Sequence, residues 1–407
     1  MAPPAPPVSA ARSLPRLAPA AAVRSSAIRD LLALTAQPGI LSLAGGMPAL
    51  DAVHDDVLPS VAAEVLADAG AVQYGPTEGW PALRTWIAGV VDRAAGAAPP
   101  ADPDDVLVTH GSQQALDLVV RALVEPGTAV VVERPTYLGA VQALTAARAD
   151  AHAVAVDDDG IDTERLAAGL RAGLRPALCY LAPTFQNPSG VVMSAGRRAH
   201  LGALADRYGF VVVDDDPYRD LAFGPVPSRL RADVPDDLAV TLGTFSKVVA
   251  PGLRVGWAHG PRWLVGALTR LKQAADLHTS TVAQQVLAAA VARPGWWEAR
   301  AARLAGLYRR RAGVLAAAVA DHGRGRIEAA AARGGMFLWG RLTDGTDGAA
   351  LLPAALRRGV AFVPGAEFSC DGAAGPHLRL CFATLDDAAL VEAARRLGAA
   401  LGDERTG

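Results

Sequence analysis

The most constraining feature of this chain is an alternation of apolar, strand-like runs with amphipathic, helix-like segments between about residues 70 and 300. The run Asp105–Thr109, for example, precedes a segment that places Leu116, Val119 and Val120 on one helical face. Short apolar strands separated by helices are typical of an α/β fold with a largely parallel sheet. From about residue 305, Arg/Ala-rich helices and two strand-like runs predict a second, smaller α+β unit.

Bulk properties exclude several classes of protein. The 407 residues, 51% of them hydrophobic, are enough for one large core and a second domain, and the formal net charge of -2 argues against a nucleic-acid-binding face. Cys179, Cys370 and Cys381 form neither a CxxC pair nor an even set, which argues against disulfides and zinc. The Pro/Ala-rich residues 1–24 do not resemble a secretory signal, so we expect a disordered arm and a cytoplasmic protein.

The basic residues are almost all arginines. Of 39 Lys and Arg residues, only Lys247 and Lys272 are lysines. Arginine replaces lysine where a permanent positive charge is enough, but it cannot supply the deprotonated amine that attacks a carbonyl. Lys247 lies in GTFSKVVAPGLRVGW, which favours a Schiff-base lysine near a phosphate site, although a surface loop lysine explains the position equally well. Lys272 falls in a helical pattern, and we expect it to be solvated.

A phosphate site is suggested by a helix that begins directly after a predicted strand. In THGSQQALDL, the backbone N–H groups of Gly111, Ser112 and Gln113 would point outward from the start of this helix and can hold an anion. The alternative is an ordinary helix cap at Ser112. Arg254, beyond a Pro-Gly turn, suits the same phosphate, although a surface arginine is the commoner outcome in a chain this rich in arginine.

Three consecutive acids, Asp214–Asp216, end the apolar run FVVVDD. Neither these acids nor Asp157–Asp159 have the spacing of a calcium loop or a neighbouring His or Cys cluster, so no metal site is predicted. A carboxylate at the end of a buried strand can instead keep a heterocyclic nitrogen protonated. Tyr218 is close enough in sequence to reach the same ligand.

Three further side chains follow predicted strands, and each has a structural alternative. Tyr137 can stack on a planar ring or pack in the core. Asn187, in PTFQNPSG, can face a ligand cleft or belong to a surface turn. Arg379 lies on the less apolar side of the alternating run HLRLCF, where it can bind a carboxylate through two hydrogen bonds or form a salt bridge at the rim.

Taken in order, these segments resemble the fold-type I pyridoxal-phosphate (PLP) aminotransferases of class I/II, in particular the 2-aminoadipate/kynurenine branch. The resemblance rests on YGPTEGWPALR, THGSQQALDL, ERPTYLG, PTFQNPSG, VVDDDPY, GTFSKVVAPGLRVGW and HLRLCFA, and it runs from about residue 26 to about residue 383. It implies a large domain (71–304) with a mostly parallel, seven-stranded sheet flanked by helices. An N-terminal segment (25–70) would pack with a small α+β domain (305–407).

The resemblance also assigns the cofactor contacts. Lys247 would form the internal aldimine with PLP, and Asp215, in preference to Asp216, would keep the pyridine nitrogen protonated. The remaining contacts would come from Asn187 and Tyr218 at the ring oxygen, Tyr137 at the ring face, and Ser112, Gln113, Thr244, Ser246 and Arg254 at the phosphate.

The substrate and partner contacts follow in the same way. Arg379 would bind the substrate α-carboxylate, with Asn187 beside it, while Arg29, Gly46 and Met47 would line the side-chain pocket. Tyr74 would reach the phosphate of the neighbouring subunit, which implies a homodimer. The implied reaction is a ping-pong transfer of an amino group between an L-amino acid and a 2-oxo acid, with glutamate and 2-oxoglutarate as one pair.

Other functions stay open at the level of sequence. The same scaffold supports lyases, decarboxylases and oxidases of amino acids, whose core residues are shared. A PLP-binding regulatory domain would require a basic DNA-binding module before residue 26, and the Pro/Ala arm is too short for one. A nicotinamide dehydrogenase is not supported, because no GxGxxG follows a predicted strand.

Overall fold

The computed structural model describes residues 39–93, 100–371 and 373–403. The predicted arm (1–24) and Arg29 lie outside the described residues. The strands are β1 (Leu41–Ser42), β2 (Val106–Thr109), β3 (Ala129–Arg134), β4 (Asp150–Asp157), β5 (Gly160–Ile161), β6 (Leu178–Leu181), β7 (Val211–Asp215), β8 (Ala239–Thr244), β9 (Gly256–His259), β10 (Ile327–Ala329), β11 (Phe337–Leu342), β12 (Val360–Ala361), β13 (Val363–Pro364) and β14 (His377–Cys381).

The helices alternate with these strands through most of the chain. Within the described ranges, none of the helices is both long and apolar enough to cross a membrane. The α-helices are α1 (Leu50–Val53), α2 (Val57–Leu66), α3 (Pro81–Arg93), α4 (Ser112–Leu123), α5 (Leu138–Ala147), α6 (Thr163–Arg171), α7 (Ala195–Tyr208), α8 (Arg262–Asp276), α9 (Thr281–Val291), α10 (Trp296–Gly323), α11 (Gly348–Arg357) and α12 (Asp387–Asp403).

The large sheet has the order β2-β9-β8-β7-β6-β3-β4-β5. Five of its strands (β8, β7, β6, β3 and β4) run parallel to one another, while β9 pairs antiparallel with both β2 and β8. The predicted α/β fold with a mostly parallel sheet is therefore confirmed. The sheet has eight strands instead of seven because the two-residue β5 folds back antiparallel onto β4.

The apolar runs of the sequence become the central strands because helices cover both faces of the sheet. All five residues of β7 are buried. Val211 and Val213 pack into one hydrophobic cluster, whereas Val212 packs into a second cluster on the other face. Successive side chains of a strand point to opposite faces, so a strand that is buried on both sides shows no polar alternation.

A smaller antiparallel sheet has the order β10-β11-β14-β13. Its β14 places Arg379 opposite Trp339 of β11 and Val363 of β13. β1 pairs in parallel with β12, and the Cys381 N–H donates to the Leu43 carbonyl over 2.8 Å. These contacts hold the segment after β1 against β14. The division of the chain into domains at residues 70 and 304 stays a prediction.

Candidate active site

One cavity of about 290 Å³ lies where β6, β7 and β8 end, at the carboxyl edge of the large sheet. Parallel strands deliver their last residues to the same edge, which is where open α/β sheets bind ligands. Residues selected from the sequence form most of the wall, and they come from segments far apart in the chain. These are Gly46, Met47, Ser112, Gln113, Tyr137, Asn187, Asp215, Tyr218, Thr244, Ser246, Lys247, Arg254 and Arg379.

Lys247 follows β8 and enters the cavity from the loop beyond Thr244. Its Nζ donates a hydrogen bond to the neutral carbonyl of Gly46 over 2.9 Å. Burial of the amine lowers the pKa of Lys247 to about 8. A large fraction of this amine is therefore neutral near pH 8, and only a neutral amine attacks a carbonyl.

Asp215, the last residue of β7, is 5% exposed and faces the same cavity. Its Oδ2 accepts a hydrogen bond from the Tyr180 hydroxyl over 2.6 Å, while its Oδ1 is buried and has no hydrogen-bond partner in the described part of the chain. Burial raises the pKa of Asp215 to about 7, and the Tyr180 hydrogen bond acts in the opposite direction. One oxygen is thus fixed, and the other is free to accept a proton donor.

The sequence interpretation did not select Tyr180. It lies within the buried strand β6 and is 1% exposed. Burial, reinforced by the nearby Asp215, raises the pKa of Tyr180 well above its ordinary value, so its hydroxyl remains a proton donor. The available signal was a tyrosine hydroxyl in a strand whose other residues are apolar (Leu178, Cys179 and Leu181). Four other lining residues were also missed, namely Ala182, Pro217, Pro251 and Phe337.

The two acids beside Asp215 have partners elsewhere. Asp216 accepts hydrogen bonds from Arg219 Nε and Arg229 Nη1, each over 2.6 Å. Although burial opposes its ionisation, these two arginines hold the pKa of Asp216 below its ordinary value. Asp214 accepts a hydrogen bond from the backbone N–H of Leu230 over 3.2 Å. Of the three consecutive acids, Asp215 is the one that lines the cavity.

Arg379 and Asn187 meet at one wall of the cavity. Arg379 Nη1 donates to Asn187 Oδ1 over 2.9 Å, and Asn187 Nδ2 donates to the Tyr218 hydroxyl over 3.3 Å. The guanidinium carbon of Arg379 lies 4.0 Å from the ring centre of Phe337 and 4.8 Å from that of Phe368. Two aromatic faces stabilise a desolvated cation and fix its plane. Arg379 is therefore held in one orientation, with its Nε lacking a hydrogen-bond partner among the described residues.

Another part of the wall is formed by Ser112 and Gln113, at the start of α4, and by Arg254, and the residues His110 and Gly111 lead into this helix. Gly111 has φ 75, and a Cβ there would lie 2.5 Å from Arg254 Nη2, so only glycine allows this close approach. Thr244 Oγ1 and Ser246 Oγ are 2.9 Å apart, and Arg254 Nη1 lies 3.5 Å from Ser246 Oγ. Hydroxyls, a guanidinium and a helix N-terminus converge here, which is a combination that binds phosphate.

Tyr137, the N-cap residue of α5, also lines the cavity, and burial raises its pKa to about 12. Tyr74 does not line the cavity. Its ring packs edge-on against His278 at 5.6 Å, and it is 78% exposed. A large exposed aromatic ring is available for contact with another chain.

The prediction for Lys272 was wrong. The residue is 0% exposed, and its ammonium is paired with Asp276. The helical pattern placed Lys272 correctly on α8, but it could not show that α4 packs over this position.

The family follows from comparison with known proteins. The model of the aminotransferase class I and II family matches residues 38–397. The chain belongs to this family. It is a PLP-dependent aminotransferase, as predicted from the sequence, and its substrates are amino acids and 2-oxo acids. The relatives do not favour a lyase, decarboxylase or oxidase.

Two curated relatives and one solved structure show the extent of the similarity. A 2-aminoadipate transaminase from Thermus thermophilus is 38% identical over 93% of this chain and 94% of its own length. An aromatic-amino-acid aminotransferase from Thermococcus litoralis is 33% identical over 94% of this chain and 93% of its own. The crystal structure of an α-aminoadipate aminotransferase from T. thermophilus, complexed with N-(5'-phosphopyridoxyl)-L-leucine, has a TM-score of 0.87 at 36% identity, covering 95% of this chain and 97% of that one.

The cavity fits the PLP that this family uses. The unpartnered Oδ1 of Asp215 suits a protonated pyridine nitrogen, and the amine of Lys247 suits an aldehyde. Because residue 111 is a glycine, Arg254 lies against the start of α4, so the cation and the helix N-terminus can contact the same anion. The donor set therefore matches the three chemically distinct parts of the cofactor.

Proposed function

We propose that Lys247 is the catalytic lysine of an aminotransferase in which Asp215, Arg379 and the start of α4 each bind a different part of the cofactor or substrate. The observation that supports the proposal is that one cavity collects a buried amine with a lowered pKa, a buried carboxylate with one oxygen unpartnered among the described residues, and a guanidinium packed against two aromatic rings. Each of these groups is costly to bury without a ligand, so their convergence supports a site for chemistry.

The ring of PLP would be held at the inner end of the cavity. Asp215 would accept a hydrogen bond from the pyridine nitrogen and keep that nitrogen protonated, while Tyr180 fixes the other carboxylate oxygen. Asn187 and Tyr218 would hydrogen-bond the ring oxygen, and Tyr137 would stack on the ring face. Bound PLP supplies a sink for the electrons that are released when the substrate loses its Cα proton.

The phosphate would lie at the start of α4. The phosphate would be bound by the backbone N–H groups and side chains at the helix start, by two side-chain hydroxyls and by one guanidinium. A helix N-terminus carries partial positive charge, which favours a phosphate at this end. The residues assigned to the phosphate are Ser112, Gln113, Thr244, Ser246 and Arg254.

Arg379 would bind the α-carboxylate of the substrate. Its Nη1 and Nη2 currently donate to Asn187 Oδ1 and the Ala44 carbonyl, and its Nε is unpartnered in the described chain. A planar guanidinium held between two rings presents its N–H groups in one plane, which matches the geometry of a carboxylate. Asn187, Gly46 and Met47 would line the space that remains for the substrate, and Arg29 keeps its predicted role at the substrate side chain.

Lys247 would also move the proton. Its amine would hold PLP through the cofactor aldehyde. Once the substrate amine has taken its place there, the free Lys247 amine would be positioned to accept the Cα proton of the substrate and to give it up again. A pKa near 8 suits both steps, because a base whose pKa lies close to the working pH takes up and releases a proton with little cost.

We also propose a homodimer in which Tyr74 reaches the phosphate site of the partner. Its exposure of 78%, and its absence from the cavity wall of its own chain, support this assignment.

Glutamate and 2-oxoglutarate are the proposed pair for one half-reaction, and 2-aminoadipate or an aromatic amino acid is the proposed donor for the other, as in the names of the two curated relatives. Location in the cytoplasm stays a prediction.

The test is a visible absorbance titration of the purified, PLP-loaded protein. Glutamate, 2-aminoadipate, and aromatic and branched-chain amino acids are added one at a time without an oxo acid. We expect the yellow colour to bleach stoichiometrically with the true donors and to return when 2-oxoglutarate is added. Borohydride reduction before the titration, followed by peptide mass spectrometry, should place the cofactor on Lys247.

Other outcomes would contradict specific parts of the proposal. Continuous turnover without an oxo acid would indicate a lyase, decarboxylase or oxidase. A cofactor found on Lys272 after reduction would overturn the role of Lys247. A protein that cannot be loaded with PLP at all would show that the whole proposal is wrong.

A further inference from the structure

The second lysine of the chain is the buried member of a partly buried polar cluster next to the proposed phosphate site. Nearly every other cation in the sequence is an arginine, yet a lysine occupies position 272. It is 0% exposed, and a buried ammonium costs free energy unless acceptors surround it. Its partners therefore show what it contributes.

Three acceptor atoms surround the Lys272 ammonium. Nζ lies 2.8 Å and 2.9 Å from the two carboxylate oxygens of Asp276, and 3.0 Å from Gln114 Oε1. An ammonium has three N–H donors on one compact centre, so all three are used. A planar guanidinium on a longer stem could not place its donors in this geometry without displacing α4.

The cluster extends from Lys272 to the loop before α4. Gln114 Nε2 donates to Asp276 Oδ2 over 2.6 Å, and the His110 ring nitrogen Nδ1 lies 2.7 Å from the same oxygen. Gln114 Oε1, which accepts from Lys272, also accepts from the backbone N–H of His110 over 2.8 Å. The side chain and the backbone of His110 are thus both fixed by this cluster.

His110 in turn connects to Arg254. The His110 carbonyl accepts a hydrogen bond from Arg254 Nη2 over 3.3 Å, and Gln114 N donates to the Gly111 carbonyl over 3.2 Å. A chain of hydrogen bonds therefore runs from the buried ammonium through Gln114 to the backbone and the guanidinium proposed to bind phosphate. Lys272 itself has no access to the cavity, and its charge is balanced by Asp276.

We propose that Lys272 is a positioning residue for phosphate recognition, acting through Gln114 on residues 110–111, which lead into α4, and on Arg254. The inference rests on the proposed phosphate site. It predicts a specific pattern: disturbing the cluster weakens the binding of ligands that carry a phosphate, and leaves ligands without one unaffected. A residue that only stabilises the fold would affect both kinds of ligand equally.

The experiment compares PLP with pyridoxal, which lacks the phosphate. Dissociation constants of both are measured by absorbance titration of the full-length protein after its cofactor has been removed. The variants are Lys272→Met and Gln114→Leu. Gln114→Leu keeps the Lys272–Asp276 ion pair, so it provides the test if Lys272→Met does not fold. Arg270→Met is the matched control, since Arg270 is an exposed cation on the same helix.

We expect both cluster variants to weaken PLP binding by about tenfold, as the loss of a hydrogen bond to a charged group does, and to change pyridoxal binding by less than about twofold. Arg270→Met should match the unmodified protein for both ligands. Equal weakening of both ligands, or unchanged PLP binding, overturns the inference. The unmodified protein and Arg254→Ala test the phosphate site separately from the role of Lys272. The unmodified protein should bind PLP more tightly than pyridoxal, and Arg254→Ala should lose most of this difference. If neither protein distinguishes PLP from pyridoxal, the phosphate site itself is wrong.

Discussion

The surroundings of Lys247 and Lys272 differ in one respect that decides what each amine can do. Both amines are removed from bulk water, and burial lowers the pKa of both. Lys272 faces a carboxylate that binds it through both oxygens, and this ion pair acts against the effect of burial. Lys247 donates a hydrogen bond to the neutral carbonyl of Gly46 over 2.9 Å and forms no ion pair among the described residues, and burial lowers its pKa to about 8.

Burial alone therefore does not make a reactive lysine. A buried ammonium with a carboxylate partner stays charged and structural, whereas burial without such a partner lowers the pKa of the amine toward neutral pH and makes its uncharged form accessible. The protein needs the neutral form at position 247 and the charged form at position 272. The same residue type serves both purposes because the partner, and not the side chain itself, sets the protonation state.

The largest expected difference between the two sites is in catalysis. The same substitution, lysine to methionine, is made at each position, and the rate of amino transfer is measured. Lys247→Met should lower kcat/KM by at least about 10⁴-fold, because both the covalent link and the proton carrier are lost. Lys272→Met should retain at least about one-hundredth of the activity at saturating PLP. Equal losses at the two positions would contradict the division of roles.

The next expected effect is on stability, and its sign differs between the two sites. Asp276→Asn leaves the Lys272 ammonium buried without its counter-ion, which should lower the free energy of unfolding by about 2 kcal/mol, since Asp276 is itself partly exposed. Lys247→Met removes a buried ammonium that has no ion-pair partner in the described part of the chain, so the cofactor-free variant should be more stable than the parent at pH 7. Urea denaturation of the cofactor-free proteins measures both.

The pH dependence checks this interpretation. The folded-state pKa of Lys247, about 8, lies below the ordinary value of 10.5, so the folded protein carries the charge at a cost below pH 8. The advantage of Lys247→Met should therefore be complete below about pH 8 and disappear as the pH rises toward 10.5. An advantage that is independent of pH would point to packing and not to charge.

The smallest expected effect is a difference between the rates at which Lys247 and Lys272 are acylated in the unmodified, cofactor-free protein. Lys247 should react with acetic anhydride at a rate that rises as the pH passes through about 8, because only the neutral amine reacts. Lys272 should stay unlabelled while the protein is folded, since it has no exposed surface. Peptide mass spectrometry distinguishes the two, and labelling of Lys272 at a similar rate would show that its cluster opens readily.

Much of the fold was predictable because it depends on patterns that are local in the sequence. The apolar runs predicted strands β2, β3, β6, β7, β8 and β9, and the polar residues that follow them predicted the edge at which the cavity forms. The run Asp150–Asp157 was not singled out, because most of its residues are only half-buried and it lacks a continuous apolar stretch. The short β5 that follows it left no periodic signal at all.

The sequence by itself determined the family, the cofactor and the identity of the lysine to test, because these depend on the order of short motifs. Only the tertiary structure decided which neighbouring side chains become partners. Asp215 faces the cavity while Asp216 is bound by Arg219 and Arg229, and Lys272 is enclosed by a glutamine 158 positions away. Such choices depend on contacts between distant segments, which set burial and charge pairing and leave no local pattern in the sequence.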